Sequence, residues 1–139
     1  MKINYHDILN KNMINVFKEI IKKIEQNGLY AGQHLYVTFN TNHPDISLPK
    51  WLKEKYPNEM TIIIQYEYYD LIVKENYFNI GLSFNNIKTK LKISFNSIVS
   101  FADPTENFGL KLKNTETKTK NIKIKNKNNV VNLEEYKKN

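Results

Sequence analysis

Side chains able to perform acid–base or metal chemistry are few in this sequence, and their spacing does not bring them together. His6, His34 and His43 show no close two-histidine spacing of the kind that binds a metal ion. Glu67 and Asp70 are near each other, but in a strand they would point to opposite faces. Cysteine is absent, and four glycines form no phosphate-binding loop. The sequence therefore predicts a protein that is not an enzyme, without metal or cofactor.

Positive charge is concentrated at the C-terminal end of the chain. Residues 1–110 contain 12 Lys and 11 acidic residues, whereas residues 111–139 contain 9 Lys and 3 Glu. All 21 basic residues are Lys, and Arg, whose planar fork makes bidentate base and phosphate contacts, is absent. Specific nucleic-acid recognition is therefore disfavoured. The alternative function kept open is a small barrel that binds single-stranded RNA, since exposed tyrosines can stack on bases.

The length of 139 residues fits one domain plus a tail, and a hydrophobic content of 40% is enough for one modest core. The first twelve residues lack the apolar run of a signal peptide, and no later stretch is long enough to cross a bilayer. We therefore expect a cytoplasmic protein with no membrane association.

The first segment predicts one amphipathic helix, from about Asp7 to Asn27. Asn4 or Asp7 can cap its start, and Gly28 suits the left-handed position after its end. Apolar residues recur at three- and four-residue spacing, at Leu9, Met13, Val16, Phe17, Ile20, Ile21 and Ile24. The residues alone leave two interpretations open: a helix packed on its own domain, or one that also forms a subunit contact.

After the helix, apolar residues recur at every second position instead of at the three- and four-residue spacing of a helix, which is typical of strands. The predicted strands cover residues 34–39, 60–69, 77–84, 87–95, 98–102 and 108–112, and a short helix through Trp51 and Leu52 follows Pro49. Asn85-Asn86 can adopt the positive φ of a tight hairpin turn. The predicted fold is mainly β with an N-terminal helix, a small open barrel or sandwich.

The last 26 residues have a different composition. Residues 114–129 are rich in Lys, Asn and Thr, with only Ile122 and Ile124 apolar, which predicts a flexible, disordered linker. Residues 130–138, VVNLEEYKK, combine a compact apolar patch with charge, which is typical of a short docking peptide. An incidental amphipathic end is the other interpretation.

Several ordered stretches resemble the stringent starvation protein B (SspB) family, in its alphaproteobacterial form. They are HLYVTF at 34–39, LKEKYPNEMTIIIQYEYYDL at 52–71, YFNIGLSF at 77–84, LKISF at 91–95 and SFADP at 100–104. The resemblance spans roughly residues 7–112, and residues 130–138 resemble the family's protease-docking motif. The sequence departs from the family pattern at Tyr69, where Trp is expected, and at Asn85-Asn86, where relatives carry Gly-Gly.

The resemblance implies a ClpXP adaptor with an Sm-like, SspB-like body. Residues 1–28 would form a dimerisation helix, 29–113 a body that binds the ssrA tag, 114–129 the linker, and 130–139 a tail that binds the N-terminal zinc domain of ClpX. The homodimer interface would use Leu9, Met13, Val16, Phe17, Ile20 and Ile24. The docking tail would use Val130, Val131, Leu133, Tyr136 and Lys137.

An unstructured tag can be held by main-chain hydrogen bonds from strand edges. The candidate groove residues are Ile64, Gln65 and Tyr66 on one strand, with Ser83, Phe84 and Asn85 on its neighbour. Gln65 is a lone amide in an Ile/Tyr-rich strand and offers both a donor and an acceptor to a peptide backbone. Its other interpretation is a solvent-facing strand position, and for Phe84 and Tyr66 the other interpretation is core packing.

Overall fold

Two α-helices and seven strands form most of the part of the chain that the structure describes, residues 1–112 of a computed structural model. The predictions for the linker and the docking tail lie outside these residues. The helices are α1 (Tyr5–Asn27) and α2 (Lys50–Lys55). The strands are β1 (Leu35–Asn40), β2 (Glu59–Ile64), β3 (Tyr69–Val73), β4 (Tyr77–Phe84), β5 (Ile87–Ser94), β6 (Ile98–Asp103) and β7 (Phe108–Lys111).

The strands form two antiparallel sheets that do not close into a barrel. The first sheet has the order β2-β1-β6-β7, and the second has the order β3-β4-β5. The prediction of a mainly β, open fold with an N-terminal helix is confirmed. The predicted hairpin turn is also confirmed: Asn85 and Asn86 have φ values of 52° and 67° between β4 and β5.

The prediction of one strand over residues 60–69 is wrong. The chain turns after β2, where the Tyr68 amide donates to the Gln65 carbonyl at 3.0 Å, and β2 and β3 belong to different sheets. The buried alternation of Met60, Ile62 and Ile64 ends there, because Tyr66 is 74% exposed. Ile and Tyr favour strands on either side of such a turn, so β-propensity does not reveal it.

Helix α1 packs against both sheets through Phe17. Its ring centroid lies 6.0 Å from that of Phe78 in the second sheet and 5.6 Å from that of Phe101 in the first sheet. The Asn4 side chain accepts a hydrogen bond from the Asp7 amide at 3.1 Å, and Gly28 ends the helix at φ 76°. Phe17 thereby joins the two sheets into one core, with only 1% of its surface exposed.

Candidate peptide-binding groove

Two strand edges face each other where the two sheets meet. Strand β2 is the end strand of the first sheet. Strand β4 pairs with β5 over Tyr77–Phe84, but its pairing with β3 reaches only to Gly81. Within residues 1–112, Leu82, Ser83 and Phe84 therefore have no strand partner on the β3 side. Backbone donors and acceptors along such edges are available to an added strand.

A groove of about 280 Å³ lies between these edges. It is lined by Thr61, Ile62, Ile63, Gln65, Glu67, Tyr68, Leu82, Ser83 and Phe84. The structure thus brings together three of the six predicted groove residues, Gln65, Ser83 and Phe84. They meet across the junction of the sheets and not on hydrogen-bonded neighbouring strands, which corrects the predicted arrangement.

The other three predicted groove residues lie elsewhere. Ile64 is fully buried in the core, and the exposed Tyr66 projects from the turn after β2 outside the groove lining. Asn85 occupies the β4–β5 turn. Sequence reasoning missed the other six of the nine lining residues. For Thr61 and Ile63 a signal existed, because period-two alternation in β2 places both on the face opposite the buried Ile62 and Ile64.

The β4 wall of the groove is held by a close contact on the outer face of the second sheet. The Tyr69 ring lies over Gly81 so closely that a β-carbon at residue 81 would overlap it. The Lys88 ammonium is 5.4 Å from the Tyr69 ring centroid, and Lys90 pairs with Asp70 at 3.0 Å. These contacts fix Tyr69 beside the residues that begin the unpaired edge.

The far end of the groove is bordered by α2. The rings of Trp51 and Phe84 meet edge to face, with centroids 6.4 Å apart and planes at 77°. Leu52, the next residue, is 1% exposed and anchors the short helix in the core. The buried Thr41 hydroxyl donates to the Tyr56 carbonyl just after α2, which fixes the end of the helix.

The side chains that line the groove are mostly neutral, both polar and apolar. Gln65 supplies an amide and Ser83 a hydroxyl, and Glu67 is the one charged side chain among the lining residues. No group of three or more His, Cys, Asp or Glu side chains that could hold a metal ion occurs in residues 1–112. This combination of unpaired edges and neutral polar groups suits an extended polypeptide.

The lysine stripe on the outer face of β5 does not favour the RNA alternative. Lys88 and Lys92 lie over the rings of Tyr69 and Tyr77, at 5.4 and 4.6 Å from their centroids. Lys90 is paired with Asp70. On this face of β5, the rings of Tyr69 and Tyr77 are therefore already in contact with the protein's own ammonium groups.

The predicted dimer stripe of α1 divides into a buried and an exposed part. Met13, Phe17 and Ile24 are buried in the core of the chain, and Ile20 is partly buried against it. Leu9 and Val16 remain 41% and 42% exposed. Together with the exposed Tyr5 and Ile8, they form an exposed apolar face beside the buried stripe, called the outer face of α1 below.

Neither helix of the described region is long and apolar enough to span a membrane.

A sequence model of one protein family, described as stringent starvation protein B, matches residues 8–138. Among curated proteins, none matches this chain. The family match covers α1 from Ile8 onward, both sheets, the groove and residues 130–138 of the predicted docking tail.

Proposed function

Because the chain belongs to the stringent starvation protein B family, a family of protease adaptors, we propose that it binds ssrA-tagged polypeptides in the groove and tethers them to the ClpXP protease. The observation that carries this proposal is the pair of unpaired strand edges, β2 and Leu82–Phe84, that face each other across the groove.

Binding by strand addition suits an adaptor because main-chain hydrogen bonds hold a peptide without requiring a unique side-chain sequence. A peptide inserted between the two edges can bond to both walls at once. The edge on β4 spans only three residues, so the number of such bonds is small. The resulting contact is reversible, as it must be if the unfoldase is to pull the tag away.

Gln65 and Ser83 are the residues we assign to polar recognition. They line opposite walls of the groove, at the turn after β2 and on the free edge of β4. The amide of Gln65 can both donate to and accept from a peptide backbone, and the Ser83 hydroxyl can do the same. Phe84 supplies an apolar wall beside them.

Delivery would depend on the C-terminal residues. We propose that Val130, Val131, Leu133, Tyr136 and Lys137 bind the zinc domain of ClpX, and that residues 114–129 act as the tether. A flexible coil of this length has a root-mean-square reach of roughly 20–25 Å. Tethering makes the second contact effectively intramolecular, so two weak contacts give useful capture.

We further propose that two copies associate through the outer face of α1, with Leu9 and Val16 in the contact. The rest of the predicted stripe is buried within each copy, where it would hold α1 in place on its own core. A cytoplasmic location is part of the same proposal, because the protease partner would have to be reached there.

The binding step is tested by fluorescence anisotropy with a labelled ssrA peptide. Gln65→Ala should weaken binding by about tenfold, since it removes a hydrogen-bonding group inside the groove. Gln26→Ala, a matched change at an exposed residue of α1, should leave the affinity unchanged. Equal affinities for both variants would contradict the assigned role of Gln65, and binding of labelled single-stranded RNA in place of the peptide would favour the RNA alternative.

The delivery step is tested with ClpXP and a tagged fluorescent reporter. The full chain should raise the degradation rate at low reporter concentration. Deleting residues 130–139 should abolish this stimulation while peptide affinity stays the same, because the groove lies within residues 61–84. Equal degradation rates with the full and the shortened chain would contradict the tethering role.

A further inference from the structure

An exposed apolar surface continues the groove beyond its Phe84 end. Trp51 is 37% exposed and Ile87 is 52% exposed. Phe84 lies directly opposite Ile87 in the β4–β5 pairing, so both side chains are on the same face of the sheet. The ring of Trp51 contacts that of Phe84 edge to face. We call Trp51, Phe84 and Ile87 together the Trp51 ledge.

The Trp51 ledge lies at one end of the groove, opposite the Gln65–Tyr68 turn. The Gln65–Tyr68 turn leads directly into Tyr69, which pairs with Gly81, so this turn is beside Leu82. Phe84 is two residues further along β4 and is therefore at the opposite end. An extended peptide that leaves the groove at this end passes over the ledge.

The parts of the ledge are held in place before any peptide binds. Trp51 is carried by α2, whose neighbouring Leu52 is buried and accepts a hydrogen bond from the Tyr56 amide at 2.9 Å. Phe84 and Ile87 flank the two-residue turn that closes the β4–β5 hairpin. A surface that is already ordered loses little conformational entropy on binding.

We propose that the Trp51 ledge binds an aromatic or large aliphatic side chain of the extended peptide held in the groove, and so selects among peptides that the main-chain contacts accept equally. This proposal rests on the peptide-binding function proposed for the groove. Main-chain hydrogen bonds do not distinguish one peptide sequence from another, whereas burial of an apolar side chain against two aromatic rings does. The continuity of the ledge with the groove through Phe84 identifies the occupant as the same peptide.

The test is a double-mutant cycle between protein and peptide, using the full chain. The probes are the labelled ssrA peptide and a set of variants in which each apolar residue in turn is replaced by alanine. With the wild-type chain, one replacement should weaken binding by about fivefold or more. With Trp51→Ala, the same replacement should cost less than about twofold, because its partner is already gone.

Three further variants separate recognition from folding. Trp51→Phe should keep most of the difference in affinity between the ssrA peptide and its alanine variant, called the discrimination here, because an aromatic ring remains. Ile87→Ser removes a second part of the ledge at an exposed position and should also reduce the discrimination. Ile72→Ser, a matched change at an exposed isoleucine of β3 outside the groove, should leave it intact.

Fluorescence supplies an independent reading, because Trp51 is the only tryptophan of the chain. Its emission should shift to shorter wavelength when the wild-type peptide binds, and shift less with the alanine variant identified in the cycle. If the tag binds, but every peptide replacement lowers the affinity by the same factor for wild type and for Trp51→Ala, the ledge proposal is overturned and the groove proposal stands. If the tag does not bind at all, both are overturned.

Discussion

The ring of Tyr69 lies against Gly81, its direct cross-strand partner, on the outer face of the second sheet. The contact is possible only because residue 81 has no β-carbon. It matters for the groove because Gly81 is the last residue of β4 that pairs with β3, and Leu82 begins the free edge. A bulky aromatic at position 69 and a glycine at position 81 therefore act together to place one wall of the groove.

We expect Gly81→Ala to destabilise the fold by about 1–3 kcal/mol, because the new methyl group overlaps the Tyr69 ring and forces it to move. The measurement is urea unfolding followed by the fluorescence of Trp51. In a Tyr69→Ala background the same substitution should cost much less. An equal cost in both backgrounds would show that the ring contact is not the cause.

The elements of this fold were predictable where a strong local signal exists. The helix follows from apolar spacing and its C-terminal end from Gly28, whereas its start at Tyr5 precedes the predicted Asp7 and is capped by Asn4, one of the two expected caps. The β4–β5 hairpin follows from Asn85-Asn86 between two alternating runs. The turn at Gln65–Tyr68 was not predictable, because it contains neither Gly nor Pro and its immediate neighbours, Ile64 and Tyr69, favour strands.

The hairpin turn gives a second prediction. Asn86 has φ 67°, a region in which residues with a β-carbon are strained and which Asn tolerates better than most. Asn86→Ala should lower stability by about 1 kcal/mol, and Asn86→Gly should be neutral or slightly stabilising. Thermal unfolding by circular dichroism measures both. Asn96→Ala, at an exposed asparagine without positive φ, is the control and should have little effect.

The groove was only partly predictable, for a reason that lies in the sheet order. Which strands are neighbours in an open two-sheet fold depends on long-range pairing, and no residue in β2 or β4 specifies it locally. Gln65 was predicted because an amide is unusual in an apolar run, and Ser83 and Phe84 were predicted as residues of a neighbouring strand. Thr61 and Ile63 were missed because an outward-facing strand position looks the same whether it faces solvent or a groove.

Tyr30 should ionise at unusually high pH. Its hydroxyl donates a hydrogen bond to the Glu106 carboxylate, and this bond, with smaller contributions from desolvation and from the negative charges of Glu106 and Asp103, raises the pKa of Tyr30 to about 12. A titration followed by tyrosinate absorbance should therefore contain one late component. Tyr30→Phe should remove that component, and Glu106→Gln should move it to lower pH.

The same pKa shift determines how stability depends on pH. The folded protein holds the Tyr30 proton more tightly than the unfolded chain does. The contribution of the Tyr30–Glu106 hydrogen bond to the free energy of unfolding is therefore fully present below pH 10 and is lost as the pH rises towards about 12. The stability difference between wild type and Tyr30→Phe should be constant at neutral pH and should shrink above pH 10. A difference that grows with pH in that window would contradict the hydrogen-bond assignment.

The outer face of α1 gives the last prediction, because there folding and association can be separated on one helix. Val16 is 42% exposed, whereas the adjacent Phe17 is 1% exposed and holds the helix on both sheets.

A two-fold contact through the outer face of α1 would bring the two copies of Val16 close together, so Val16→Glu would place like charges in an apolar interface. We expect the proposed dimer to dissociate at least about tenfold more readily, without loss of helix signal in circular dichroism. Sedimentation equilibrium measures the association, and Ile72→Glu, at a comparably exposed isoleucine of β3, should leave it unchanged. If Val16→Glu and wild type have the same mass distribution, the interface lies elsewhere, and the exposed residues of α1 require another partner.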